Sequence, residues 1–217
     1  MRAAKLRSAA ALRAREAWLR WLGSGGLSAA GGGWHGGGVV GAAIGAGAGA
    51  TKGGVFPDQP DADFQDGFAL KFHAAVRLSR LFWPSLLASH GNVVMIVGGA
   101  ARTPDHKFMV GGAVNAALAN YSKALAGQGL IDDVNVNWVS PGQTETERLQ
   151  GLLETRARNE NKTIDEVRAE RMSHEGIRRL GRPEDTAALV SFLCGDEARH
   201  IHGTGISVDG GATKGCF

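Results

Sequence analysis

Long hydrophobic runs are missing from this chain of 217 residues. No stretch of about 18 uninterrupted apolar residues occurs, which argues against a bilayer-spanning helix and a membrane partner. Cysteine is almost as scarce: Cys194 and Cys216 are the only two. They lack metal-ligand spacing and form no disulfide framework, so no bound metal is expected and a reducing, cytoplasmic setting is the default. Net positive charge is missing outside the first 22 residues. There Arg2, Lys5, Arg7, Arg13, Arg15 and Arg20 face only Glu16, a net +5 against +3 for the whole chain, which leaves the remainder at −2. The basic character belongs to that leader, and no basic face for nucleic acid is expected on the rest.

Glycine is abundant instead, with 33 in the chain and many of them between Gly23 and Gly54. A stretch of that composition cannot bury enough apolar area to order itself, so residues 1–38 are expected to be a basic, glycine-rich and disordered leader. Three origins stay open for it: a solvated tail, a stretch of gene read out of frame, or a basic amphipathic targeting or membrane-surface segment. The folded domain is expected to be residues 39–217.

From Val39 onward, apolar runs alternate with helical patterns in the manner of βαβ units, which implies a parallel sheet. Val39 to Gly49 holds a short, glycine-weakened strand. Phe64 to Ser89 carries Phe68, Phe72, Val76, Phe82 and Leu86 near helical spacing. Asn92 to Val97 reads as a buried strand. Gly112 to Ala126 places Val114, Ala117, Leu118, Tyr121 and Leu125 on one helical face. Val134 to Val139 is the next strand, ended by the turn Pro141-Gly142. Thr144 to Glu175 is polar and reads as a mobile lid, with Thr163 and Glu166 spaced as a capping box ahead of a short helix. Pro183 opens a helix running to about Leu193, Gly195 lies past its end, and Ile206 to Val208 is the last strand.

The ordered set GNVVMIVGG, GGAVNAALANYSKALA, VNVNWVSPGQTET, LGRPEDTAALVSFL and HGTGISVDGGAT resembles the short-chain dehydrogenase/reductase family over about residues 46 to 213. The resemblance implies an α/β fold, a doubly wound parallel sheet of Rossmann type that binds NAD or NADP across the carboxyl ends of its strands. Ala46 to Gly54 looks like the family's Asn-Asn-Ala-Gly turn, with both asparagines replaced. Ala48 and Gly49 are then cofactor-binding candidates, and the sheet is expected to be incomplete at its N-terminal side. Gly41, Gly45 and Gly47 match the family's Gly-x-x-x-Gly-x-Gly spacing, but too little chain separates them from the Phe64 helix. They read as a coincidence of a glycine-rich run.

By the same resemblance the catalytic Asn, Ser, Tyr and Lys positions fall at Lys71, Gly98, Gly111 and Asn115, all substituted. Glycine has no proton to give, and a neutral amide cannot lower a neighbour's pKa as an ammonium does. Lys71, on an apolar helix, is expected to snorkel its charge to the surface. Tyr121 and Lys123 lie ten and twelve residues past Gly111, roughly 15–18 Å along a helix, and are expected to serve packing and surface. The loop from Arg102 to Lys107 lies beside the family's substrate site. His106 is a candidate base there and Arg102 and Lys107 are candidate anion binders, set against a solvated polar loop. Pro141, Gly142 and Thr146 match the turn that contacts the nicotinamide amide in relatives.

The implied function is an NAD(P)-dependent oxidoreductase acting on a small molecule, weak or inactive as this chain. The alternative is a non-catalytic subunit that uses its long helix and last strand to assemble. Either implies an oligomer, of like chains or with relatives.

Overall fold

The computed structural model describes residues 41–44 and 52–215. The expected leader, residues 1–38, and the candidates Gly45, Gly47, Ala48, Gly49 and Cys216 lie outside the described residues.

Four parallel strands make the sheet, in the order β1 (Gly41–Ile44), β2 (Asn92–Ile96), β3 (Asn135–Pro141) and β4 (Gly205–Val208). Gly41 pairs with Asn92, Asn92 with Asn135 and Trp138 with Gly205, so register runs without slippage across the sheet. Parallel neighbours cannot be joined by hairpins and need crossovers, which the long helices supply. The first crossover is α1 (Asp61–Gly67), a π-helical segment (Phe68–His73) and α2 (Ala74–Ala88) in continuous succession. The second is α3 (Met109–Asp132). The third holds α4 (Glu147–Glu160), α5 (Ile164–Glu175) and α6 (Pro183–Leu193).

Strand period decides which helix each side chain meets. Ala42, Ile44, Val93, Met95 and Val136 pack with Leu86 of α2 and Leu118 and Ala126 of α3 on one face. Val94 and Val139 point the other way, onto Ala187, Val190 and Leu193 of α6. Both faces are covered, which is why β2 reads as an unbroken apolar run rather than an alternating one. The expected α/β class, with a parallel sheet and helices on both sides, is what the chain forms. Gly41 sits in β1, where a Cβ would come within 3.1 Å of the Cys194 sulfur, so its missing side chain admits the end of α6.

Two expectations change. The polar stretch after Thr144 carries two helices, not one, and they close on a core of their own made by Leu149, Leu153, Ala157, Val167, Ile177 and Leu180. The expected capping box is there: the Thr163 hydroxyl accepts from the Glu166 N–H at 3.2 Å, and the Glu166 carboxylate accepts from the Thr163 N–H at 2.8 Å. The sparse apolar residues of this segment recur at helical spacing, and a high polar fraction hid them. The helix expected over 112–126 extends by three residues at its start and six at its end, because Asp133 takes a left-handed conformation (φ 54°) that stops it.

Candidate functional site

The carboxyl end of β2 and the first turns of α3 meet, and three family positions meet with them. The Gly98 N–H donates to Asn115 Oδ1 at 2.6 Å, and Asn115 Nδ2 donates to the Gly111 carbonyl at 2.7 Å. Asn115 is 4 % exposed, so both its polar atoms are spent inside the protein on backbone. A Cβ at Gly98 would lie 3.1–3.2 Å from the Asn115 amide group. Asn115 thus clamps the β2 exit to the start of α3 and keeps Gly98 small.

Gly111 is held small by a different neighbour. Phe108 is the N-cap of α3, at φ −136° and ψ 41°, and makes no side-chain cap hydrogen bond. Its ring folds over the first turn so that any Cβ on Gly111 would collide with it. The aromatic in this place therefore comes from Phe108 and carries no hydroxyl. Sequence reasoning passed over Phe108, although its i, i+3 spacing to Gly111 is the spacing at which helical neighbours touch.

Lys71 lies in the π-helical segment, a geometry that turns up often at functional sites. Its side chain is largely enclosed, with 7 % exposed, rather than laid along the surface. Packing of the first crossover against α3, seen in the edge-on contact of Phe72 with Tyr121 at 5.8 Å, encloses the lysine stem. Burial pushes its ammonium down to about 8, and the nearby Arg148 guanidinium at the start of α4 acts in the same direction. Among the described residues no carboxylate or carbonyl is bonded to it.

The 102–107 loop is open to solvent. Arg102 donates at 3.3 Å to Ser207 Oγ and to the Gly205 carbonyl, which ties it to β4. The Asp105 carboxylate accepts from the Lys107 N–H at 2.8 Å and sits 3.6 Å from an exposed His106 ring. The Lys107 carbonyl accepts from the Gly54 N–H at 3.1 Å. Among the described residues His106 has no second group bonded to it that would orient it as a base.

At the end of β3, the Gly142 N–H donates to the Val208 carbonyl at 3.0 Å, and a Cβ there would come within 2.7 Å of Asp209. Only glycine lets the turn Pro141-Gly142 pass the turn after β4. Thr146 caps α4, its hydroxyl accepting from the Leu149 N–H at 3.3 Å. Two residues that sequence reasoning did not single out organise the same edge. Asn137 donates to the Ile201 carbonyl at 2.7 Å and accepts from the Thr204 N–H at 3.2 Å, while Asn135 donates to the Arg199 carbonyl at 3.1 Å. They pin the chain that leads into β4.

Tyr121 and Lys123 serve structure: Tyr121 packs on Phe72, and Lys123 Nζ donates to the Gly203 carbonyl at 2.7 Å. Burial pushes the Cys194 thiol up to about 12, so it stays protonated and is no nucleophile at neutral pH.

The nicotinamide end of a dinucleotide fits these residues in part. Pro141, Gly142 and Thr146 present a turn at the carboxyl edge of the sheet, held by the Gly142 N–H to the Val208 carbonyl. A pyrophosphate needs a glycine turn opening a helix. Among the described residues the helix after β1 opens instead on Pro60 and carries Asp61 in its first turn, whose charge repels an anion, while Asp63 is paired with Lys52 at 2.8 Å.

Residues 35–213 match the model of a family described as enoyl-(acyl carrier protein) reductase. The chain is 35% identical over 126 residues to the NADPH-dependent reductase BacG of Bacillus subtilis, covering 57% of this chain and 48% of BacG. It is 30% identical over 165 residues to the uncharacterized oxidoreductase YvaG of the same organism, covering 74% of this chain and 62% of YvaG. The solved L-sorbose reductase of Gluconobacter frateurii, complexed with NADPH and L-sorbose, superposes with a TM-score of 0.74 at 26% identity. That match covers 81% of this chain and 68% of the reductase. The chain thus spans about half to three fifths of the length of the curated relatives it matches.

Proposed function

Because this chain belongs to the short-chain dehydrogenase/reductase family, through its match to the enoyl-(acyl carrier protein) reductase model, we propose that it is an NADPH-type oxidoreductase with a degenerate acid–base centre. Its turnover of small carbonyl compounds is then slow or absent. The observation that carries this reading is the cluster of Gly98, Gly111 and Asn115 with the Phe108 ring over Gly111.

A nicotinamide nucleotide, when bound, supplies or accepts a hydride. The protein's own share is to place the carbonyl and to give or take a proton at its oxygen. Gly98 offers no hydroxyl to orient that oxygen. Asn115 has committed both polar atoms to backbone, and Phe108 excludes water from the turn without donating a hydrogen bond. A missing general acid removes a factor of about 10²–10⁴ in rate. Pro141, Gly142 and Thr146 are the residues we assign to the nicotinamide amide, and NADPH is favoured over NADH by the relatives' dependence on it.

Calorimetric and thermal-shift titration with NADPH and NADH tests the reading directly. NADPH at about 100 times its dissociation constant stabilises a one-site folded protein by roughly 2.7 kcal/mol. Saturable NADPH binding with turnover well below that of a relative bearing the full set of catalytic residues is the expected result. Fast turnover, or a folded sample that binds neither nucleotide, refutes it.

A second reading, an assembly subunit, has its own support. Leu81, Leu130 and Ile131 are 69%, 74% and 79% exposed on the two long crossovers. Among the described residues the outer edge of β1 also has no partner, and such an edge invites pairing. A single-chain mass by light scattering at micromolar concentration eliminates it.

A further inference from the structure

The chain that enters α1 carries an apolar tip rimmed by acid. Val55 is 55 % and Phe56 74 % exposed, on a turn closed by the Asp58 N–H donating to the Val55 carbonyl at 3.0 Å. Asp58 belongs to that turn and Asp61 to the first turn of α1. Both are exposed, and among the described residues no cation is bonded to either. Residues 52–66 hold Asp58, Asp61, Asp63 and Asp66 against Lys52 alone, a net −3, and Lys52 is already bonded to the buried Asp63 at 2.8 Å. The 102–107 loop, joined to the tip by the Gly54 N–H to the Lys107 carbonyl at 3.1 Å, offsets little of this charge: Arg102 is tied to β4, and Asp105 stands beside His106 and Lys107. An exposed phenyl beside unanswered carboxylates fits a partner that is basic and apolar at once.

We propose that this tip is the docking site of residues 1–22 of the same chain. That segment has the matching character: a net +5, with Arg13, Arg15 and Arg20 beside the apolar group Trp18, Leu19, Trp21 and Leu22. The arginines answer Asp58 and Asp61, and the tryptophans cover Val55 and Phe56. The connection is long enough. Half of residues 23–40 are glycine, and a glycine-rich chain of 18 residues has a root-mean-square span of about 21–25 Å. The radius of gyration of a domain the size of the described part is about 15 Å, so a segment tethered before β1 reaches the tip. Such a tether holds its end at an effective concentration in the millimolar range, so a contact too weak to persist between separate molecules is populated within one. Through the Gly54 bond to Lys107, the docked segment borders the 102–107 loop. The proposal stands whether or not the chain binds a nucleotide.

Zero-length carbodiimide coupling of the full chain at low salt, mapped by mass spectrometry, tests the dock. Lys5 is the only lysine before Lys52, so the carboxylates it couples to report where the segment lies. Coupling of Lys5 to Asp58 or Asp61 within one chain is expected, falling about fivefold or more in roughly 0.5 M salt, where exposed charges are screened. Trypsin cleavage after Arg13, Arg15 and Arg20 gives a second reading, because it tracks the undocked population. Asp58→Asn combined with Asp61→Asn, and separately Phe56→Ser, should each speed that cleavage about threefold or more. Asp165→Asn, at a side chain 91 % exposed on α5, should leave it unchanged. Phe56→Ser acts on an exposed turn outside any helix or strand, so it reports even where the change at Asp61 loosens α1. Lys5 coupled only to other carboxylates, or cleavage equally fast in the parent and both variants, overturns the proposal. Coupling found only between chains overturns it too, and assigns the tip to a second copy.

Discussion

Three helical glycines in α3 offer a test of the site because they should respond to one substitution with opposite signs. Glycine in a helix interior is less favourable than alanine by about 0.5–1 kcal/mol, so Gly→Ala normally stabilises. At Gly127 an added Cβ meets nothing within 4 Å, and at Gly112 its nearest neighbour is the Ala100 carbonyl at 3.6 Å, ordinary contact. Both substitutions should raise stability by about the propensity difference. Gly111 is the exception, since its Cβ would enter the Phe108 ring. Overpacking of a well-filled site costs about 1–3 kcal/mol, which exceeds the propensity gain. Gly111→Ala should therefore destabilise by roughly 1–2 kcal/mol net, a fall of about 2–4 °C in Tm per kcal/mol at this chain size. Adding Phe108→Ala should relieve the clash, so that the double variant is more stable than the sum of the singles by about 0.5–3 kcal/mol. Urea titration of all five variants measures this. If Gly111→Ala stabilises as Gly127→Ala does, or if the two positions add without coupling, the ring does not lie over Gly111. The account of Phe108 as the group that keeps Gly111 small would then be wrong.

Lys71 carries a pH signature. Its folded pKa lies near 8 against an ordinary 10.5, so between those values the unfolded chain binds more protons, and stability rises with pH across that window. The penalty present below pH 8 is on the order of 3 kcal/mol, and Lys71→Met should flatten the rise relative to the parent in urea titrations at pH 7, 9 and 10. Asp185 acts oppositely at the acid end. The Arg179 guanidinium and the Arg182 N–H hold it down to about 2, so its contribution is present above pH 4 and lost as pH falls toward 2. Asp185→Asn should remove that slope and cost about 1 kcal/mol at pH 7 through the weakened cap of α6. Asn137→Ala strands the Thr204 N–H and leaves the Ile201 carbonyl only the longer bond from Asn135 at 3.3 Å, and should cost about 1–3 kcal/mol with faster hydrogen exchange at Thr204. Unchanged exchange there would mean that β4 is held by its ladder alone.

The elements were legible because each rests on a local period. An unbroken apolar run marks β2, and Pro183 with Gly195 brackets α6. Thr163 and Glu166 announce their cap at a spacing that only a helix N-terminus satisfies. Positions 98, 111 and 115 were singled out by the family resemblance rather than by a period, since the periodic signal of the helix began only at 112. The pair of helices after Thr144 was less legible: their small core is formed by residues up to 31 positions apart, from Leu149 to Leu180. Residue type alone gave Asn135 and Asn137 no distinction from any polar position in a strand.

The sequence by itself determined the strand-and-helix order, the parallel class of the sheet and the chemical poverty of Gly98 and Gly111, since a glycine carries no proton donor in any fold. Only the tertiary structure decided where charge and bulk ended up. Lys71 looks able to snorkel on its own helix, and it is buried because α3 packs across it, with Arg148 coming from a helix more than 70 positions away. Phe108 occupies the space beside Gly111 because the loop before α3 turns back on itself. Burial depends on which elements approach one another, and no period along the chain encodes that approach.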